Sequence, residues 1–212
     1  MANRLKLSYF PFKGKGWIIR KAFRIGNVDF EDEIITMELW RENKHDKARF
    51  PLAQIPVLKL PSGELICQSN SLIRYAGRLA GLYPDDATYA LKCDEIIDTV
   101  TEVTAKVPFS GSALPPTELP EVIKQRREEY AANVLPGYYA FWSMKLNANH
   151  GGIGFCVGAD LTVADLALYQ FVKNIRGGVY DHVPRDADAL YPMINKFVET
   201  VEADARFAPH KF

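Results

Sequence analysis

From Leu5 the chain alternates: Leu5, Leu7 and Tyr9 fall on one side of an extended run, Lys6, Ser8 and Phe10 on the other. This period of two predicts a strand. The stretch "PFKGKG" breaks it. Ile18, Ala22 and Ile25 then recur at helical spacing, with Gly26 as the expected stop. "VDFEDEII" (Val28–Ile35) predicts a second strand, so the three elements form a β-α-β unit, normally right-handed and parallel. Residues 36–53 are polar and irregular, with one short helix expected around Trp40–Lys44. "PVLKL" and "ELICQ" read as two short strands joined at Pro61-Ser62-Gly63, hence a hairpin. From Ser69, a helix places Leu72, Ile73, Ala76, Leu79 and Ala80 on one face, and Gly81 and Pro84 end it.

After "LYPDDAT" the pattern changes, and everything that follows reads as helix and loop. "YALKCDEIIDTVTEVTAKV" predicts one long helix, and "LPPTELP" is a break. "EVIKQRREEYAANVLPGYYAFWSMKL" predicts a second long helix with Pro136 as an internal kink. In "LTVADLALYQFVKNI", Thr162 and Asp165 form a capping box, with Leu161 and Leu166 as its hydrophobic staple. "ALYPMINKFVETVEA" is the last helix. The fold class expected is an α/β N-terminal domain of order β-α-β-α-β-β-α followed by an all-α domain. The expected division is residues 1–83, a linker at 84–88, and residues 89–212.

Composition narrows the function classes. With 212 residues, 48% of them hydrophobic, the chain can bury a sizeable core. Its 26 basic and 26 acidic residues cancel, which argues against nucleic acid or an anionic membrane surface as the main partner. Three widely spaced cysteines, Cys67, Cys93 and Cys156, fit neither a disulfide framework nor a zinc site. Cys67, in an apolar strand, reads as packing. His45, His150, His182 and His210 show no metal-ligand spacing. No leader-like or membrane-spanning apolar run is seen, so a cytoplasmic location is expected.

Three places carry candidate chemistry. Pro56 is either a plain strand-start proline or, if its peptide bond is cis, a turn that offers the Ile55 backbone to an extended peptide. Gln68 and Ser69 sit where a strand gives way to a helix. Ser69 is a good N-cap, and such a terminus also favours a carboxylate. Tyr9 closes the first strand; it is either a half-buried tyrosine or a neutral donor able to favour a thiolate. The glycines of "KGKG" resemble a dinucleotide loop, but the third glycine is missing and the element order is wrong for a doubly wound sheet.

These motifs, in order, are "LSYF", Trp40 followed by Lys44, "QIPVL", "CQSNSLIRYAG" and "LTVADLALY". Together they resemble the cytosolic glutathione S-transferases over essentially the whole chain. The tyrosine-type branch is the most similar, and within it the sigma-like class, which includes glutathione-dependent prostaglandin D synthases and S-crystallins. The resemblance implies a thioredoxin-like first domain and a helical second domain. It implies glutathione as co-substrate, no metal, and conjugation to small hydrophobic electrophiles. Tyr9 is implied as the donor to the glutathione sulfur, and Lys15 stands where the family usually has Arg. Trp40 and Lys44 are implied at the glycyl end. Gln54, Ile55 and Pro56 are implied along the cysteinyl part, and Gln68 and Ser69 at the γ-glutamyl carboxylate. Glu102 of a neighbouring subunit, where the family prefers Asp, is implied near the γ-glutamyl amine, which requires a homodimer. Phe50 or Leu52 is expected to pack on that subunit.

The electrophile pocket is expected to use Phe10, Phe12, Lys106 and Phe109, between the halves. "YYAFW" (Tyr138–Trp142) reads as core rather than a ligand shelf. Two rivals remain: a glutathione-dependent prostaglandin-type isomerase, and a non-catalytic crystallin-like or ligand-carrier protein.

Overall fold

β1 (Leu5–Tyr9) pairs in parallel with β2 (Phe30–Ile34), Leu5 opposite Phe30 and Tyr9 opposite Ile34. A parallel pair needs a crossover, and α1 (Lys15–Ile25) supplies it. On the other edge of β1 lies β3 (Val57–Lys59), antiparallel, followed by β4 (Leu65–Ile66). The sheet order is therefore β2-β1-β3-β4. The hairpin closes through Leu60 N–H to the Glu64 carbonyl at 2.8 Å, with Gly63 at φ 94°, a region open to glycine at little cost. α2 (Met37–Asn43) is capped by Thr36, whose hydroxyl accepts from Leu39 N–H at 3.2 Å.

The computed structural model describes residues 4–108 and 120–210. Their contacts divide the chain into two compact units, one running to Pro84 and the other starting at Asp85.

In the first unit α1 packs against α3 (Ser69–Leu79). Ile19, Ala22 and Phe23 of α1 and Leu72, Ile73 and Ala76 of α3 are buried. Each large apolar side chain buried here contributes about 1.5–3 kcal/mol. The ends of the two helices meet backbone to backbone: a Cβ on Gly26 would lie 2.4 Å from the Ala80 Cα. Ala80 thus occupies the core-facing place at this level. Leu79, expected on the same face, is exposed.

In the second unit α4 (Ala87–Ala105) starts at Asp86, whose carboxylate accepts from Thr88 and Tyr89 N–H, each at 2.9 Å. It packs chiefly on α7 (Val163–Arg176). Residues 163–172 of α7 are all buried, the mark of a helix surrounded by protein rather than lying on its surface. Asp165 is among them. Its carboxylate accepts from Thr162 N–H at 2.7 Å, Thr162 Oγ1 at 2.8 Å and Cys156 N–H at 2.7 Å, so a buried carboxylate is fully occupied. Leu161 and Leu166, the staple pair, are buried as well.

The single helix expected across Pro136 is two helices. α5 (Pro120–Asn133) ends, Val134 turns, and α6 (Leu135–Ala148) begins. Pro136 lies in the first turn of α6, where its missing N–H leaves nothing unpaired. α8 (Pro192–Ala203) and a short 3-10 turn at Ala208–His210 complete the unit. Tyr139 and Trp142 of "YYAFW" are fully buried, so that run is core.

Candidate functional site

Tyr9 ends β1 and is buried, with 5% of its surface exposed. The first turn of α1 closes over it. A Cβ on Gly14 would lie 2.2 Å from the Tyr9 hydroxyl, and one on Gly16 would lie 2.3 Å from the ring. The two glycines of "KGKG" are therefore required by this contact with Tyr9. Burial pushes the Tyr9 phenol above its ordinary value. The backbone N–H groups of Gly16 and Lys15, with the Arg20 charge, pull the other way without prevailing. Those N–H groups are unused donors of a helix start. Because they hydrogen-bond the phenol oxygen, the hydroxyl proton is left to donate elsewhere.

Register brings the other candidates to the same end of the sheet. Ser8 pairs with Val57 and Leu58 with Ile66. Pro56 therefore follows on beside Tyr9, and Gln68 leaves β4 at the same end. The Ile55–Pro56 peptide bond is cis. Ile55 is half-buried against Ile35, Phe50 and Val57, whereas Gln54 is exposed. Trp40 of α2 is half-buried, edge-on to Phe10 at 5.7 Å and to Phe50 at 5.2 Å. Lys44 caps α2, its N–H bonded to the Trp40 carbonyl at 2.9 Å. Phe10 and Phe12 stack at 4.8 Å, and Phe12 is half exposed. Lys15 is the exposed first residue of α1.

Ser69 is the first residue of α3, not its cap. The cap position belongs to Gln68, whose carbonyl takes the first helical bond, from Leu72 N–H at 3.1 Å. Gln68 stands at φ 75°, ψ 106°, a conformation that costs a non-glycine residue about 1–3 kcal/mol. The twist puts Gln68 in the cap position with no side-chain cap bond, at a helix start of the kind that favours an anion.

Among the described residues, two candidates lie in the second unit. Glu102 of α4 is exposed and paired with Lys106 at 2.6 Å; Lys106 also donates to the Tyr138 hydroxyl at 2.8 Å. Lys106 thus turns its ammonium onto its own helix and α6. Phe109 falls outside the described residues. Phe50, expected on a subunit surface, is 1% exposed and belongs to the core of its own unit. Only Leu52 of that pair is open, at 52%. Among the described residues no cluster of three or more His, Cys, Asp or Glu is placed to hold a metal, and no helix is long and apolar enough to cross a membrane.

Residues 113–210 match the model of the glutathione S-transferase C-terminal domain. Glutathione S-transferase 3 of Caenorhabditis elegans is 32% identical over 77% of this chain and 76% of its own length. The chain belongs to the glutathione S-transferase family. Glutathione S-transferase P of Macaca mulatta is 30% identical over 92% of this chain and 85% of its own. The solved structure of prostaglandin synthase D of Nilaparvata lugens superposes with a TM-score of 0.80, covering 99% of this chain and 98% of that one at 23% identity. That likeness carries the fold.

In this transferase the structure adds residues that sequence reading missed. Arg20 is buried beneath the site. It donates to the Phe10 carbonyl at 2.7 Å, the Tyr9 carbonyl at 3.2 Å and Asp32 at 2.7 Å, and its guanidinium lies 5.6 Å from the Tyr9 ring centre. Glu33 gathers Ser8, Lys6 at 2.8 Å and Arg49 at 3.3 Å, tying the loop before Gln54 to the sheet. An arginine inside the apolar stripe "WIIRKAF" was the available signal for the first; nothing local marks the second.

Proposed function

We propose that this glutathione transferase lowers the pKa of the glutathione thiol by a hydrogen bond from Tyr9, and that the resulting thiolate attacks small hydrophobic electrophiles. One observation carries the reading. The Tyr9 oxygen accepts from the start of α1, so its own proton is free to donate, at the sheet end shared with Pro56 and Gln68. A hydrogen bond to a charged partner is worth about 1.5–3 kcal/mol. That lowers the thiol pKa by about one to two units from an ordinary value near 8.5.

The remaining assignments follow the path of a tripeptide. The α3 start with Gln68 and Ser69 takes the γ-glutamyl carboxylate. The Ile55 backbone beside Pro56 pairs with the cysteinyl part, with Gln54 adjacent. Trp40, Lys44 and Lys15 take the glycyl end; Lys15 keeps the charge an arginine would bring but not its planar fork. Glu102 of a second copy meets the α-ammonium, which makes the working form a homodimer. The exposed ring of Phe12, stacked on Phe10, offers an apolar surface to the electrophile. The class is tyrosine-type and sigma-like, the location cytoplasmic, and the role conjugative detoxification.

The test is conjugation of glutathione to a chlorodinitrobenzene by native protein and by Tyr9→Phe, with glutathione affinity measured by calorimetry. Loss of turnover with affinity kept supports the reading. Equal turnover assigns activation to another donor. Glutathione binding without conjugation points to the isomerase, which product analysis with a lipid endoperoxide identifies, or to a ligand carrier, which leaves the endoperoxide unchanged.

A further inference from the structure

The carboxylate that the reading above gives to glutathione is already occupied. Glu102 Oε1 lies 2.6 Å from Lys106 Nζ, one helical turn later on α4. Lys106 is held from a second side. Its ammonium donates to the Tyr138 hydroxyl of α6 at 2.8 Å and stands 5.2 Å from the centre of the Tyr138 ring. Both side chains of the ion pair are about half exposed. Glu102 is therefore accessible to a second cation, yet it already carries one partner.

An ammonium arriving at Glu102 meets two effects of Lys106. It must share or displace an existing ion pair, and it feels the repulsion of a like charge a few ångströms away. Two cations on one carboxylate each gain less than one alone. The anchoring by Tyr138 matters, because it favours the position of the ammonium beside Glu102 over positions in solvent.

We infer that Lys106 is a competing counterion for Glu102, held in place by Tyr138, and that it weakens the binding of the glutathione α-ammonium. This rests on the reading of Glu102 as the ligand of that ammonium. Lys106 is a positioning residue that sets affinity for glutathione without entering the chemistry. Exposed pairs of this kind are weak, so its removal should strengthen glutathione binding by up to about five-fold.

The experiment is steady-state kinetics with varied glutathione on the full chain, for Lys106→Met, Lys106→Arg, Tyr138→Phe, Glu102→Gln and the double variant Glu102→Gln/Lys106→Met. The proposal expects Lys106→Met to lower the KM for glutathione by up to about five-fold, read at saturating electrophile. Lys106→Arg should restore the native KM, and Tyr138→Phe should move it part of the way toward Lys106→Met. The gain should shrink as salt is raised and vanish in the Glu102→Gln background. If Glu102→Gln raises the KM but Lys106→Met leaves it unchanged or raises it, the competing role of Lys106 is overturned and the Glu102 assignment stands. If Glu102→Gln itself leaves the KM unchanged, the Glu102 assignment falls and the inference with it.

Discussion

Tyr9 and Tyr139 make a useful pair. Both are buried, one in each unit, and burial pushes both phenols above their ordinary value. Tyr9 sits at a strand end, under the first turn of a helix whose N–H groups reach its oxygen. Tyr139 sits in mid-helix, walled by Trp142, Phe171 and Tyr191, and its hydroxyl has no hydrogen-bond partner among the described residues. The difference teaches that burial alone keeps a phenol protonated but gives its proton nowhere to go. A useful donor needs its oxygen satisfied from behind and its proton facing a ligand. The end of a sheet meeting the start of a helix supplies that; the middle of a helix in an aromatic core does not.

The sharpest way to break the comparison is to remove each hydroxyl. Tyr9→Phe is expected to reduce kcat by about 10- to 100-fold, from the loss of a charge-assisted hydrogen bond, in a conjugation assay at saturating glutathione. The pH profile sharpens it. The raised Tyr9 phenol is a donor below its folded pKa and is lost as pH rises through that value. The native rate should therefore rise through the thiol pKa and hold to about pH 10. In Tyr9→Phe the rising limb should move up by about one to two units. A native rate that declines well below the ordinary tyrosine value, with the fold intact by circular dichroism, would contradict the burial argument.

Gly16→Ala probes the lid over Tyr9. Alanine inside a helix normally stabilises by about 0.5–1 kcal/mol. Here its Cβ would lie 2.3 Å from the ring, so the expected outcome is reversed, a loss of about 1–3 kcal/mol by urea titration. Tyr139→Phe gives the smallest effect. With an unpartnered buried hydroxyl removed, the protein should gain up to about 1 kcal/mol, read as a melting midpoint about 2–4 °C higher. Activity should be unchanged. A destabilised Tyr139→Phe would mean that the hydroxyl has a partner after all.

How much could be read in advance varies by element, for physical reasons. Strand alternation from Leu5, the hairpin around Gly63 and the capping box at Thr162 and Asp165 are local patterns, and each appears where its pattern lies. Pro136 reads as a kink because the residues around it are helix formers. In the structure α5 stops at Asn133 and α6 starts afresh, with Pro136 in its first turn. Ser69 has the right chemistry for a cap, but the path out of β4 twists Gln68 into that position instead.

The sequence by itself determined the order of elements, the two-part organisation at the level of pattern, and the residue types for a family resemblance. These depend on periodicity, turn chemistry and short-range caps, which act within a few residues. Only the tertiary structure decided which groups meet. The Tyr9 phenol lies under Gly14 and Gly16, and Arg20 sits beneath it. Phe50 turns into its own core, and Lys106 and Tyr138 close on Glu102. Three of these contacts join residues from separate elements, 32 positions apart for Lys106 and Tyr138. Apart from the arginine inside the apolar stripe of α1, no local signal marks them, because burial and packing geometry arise only when the elements are brought together.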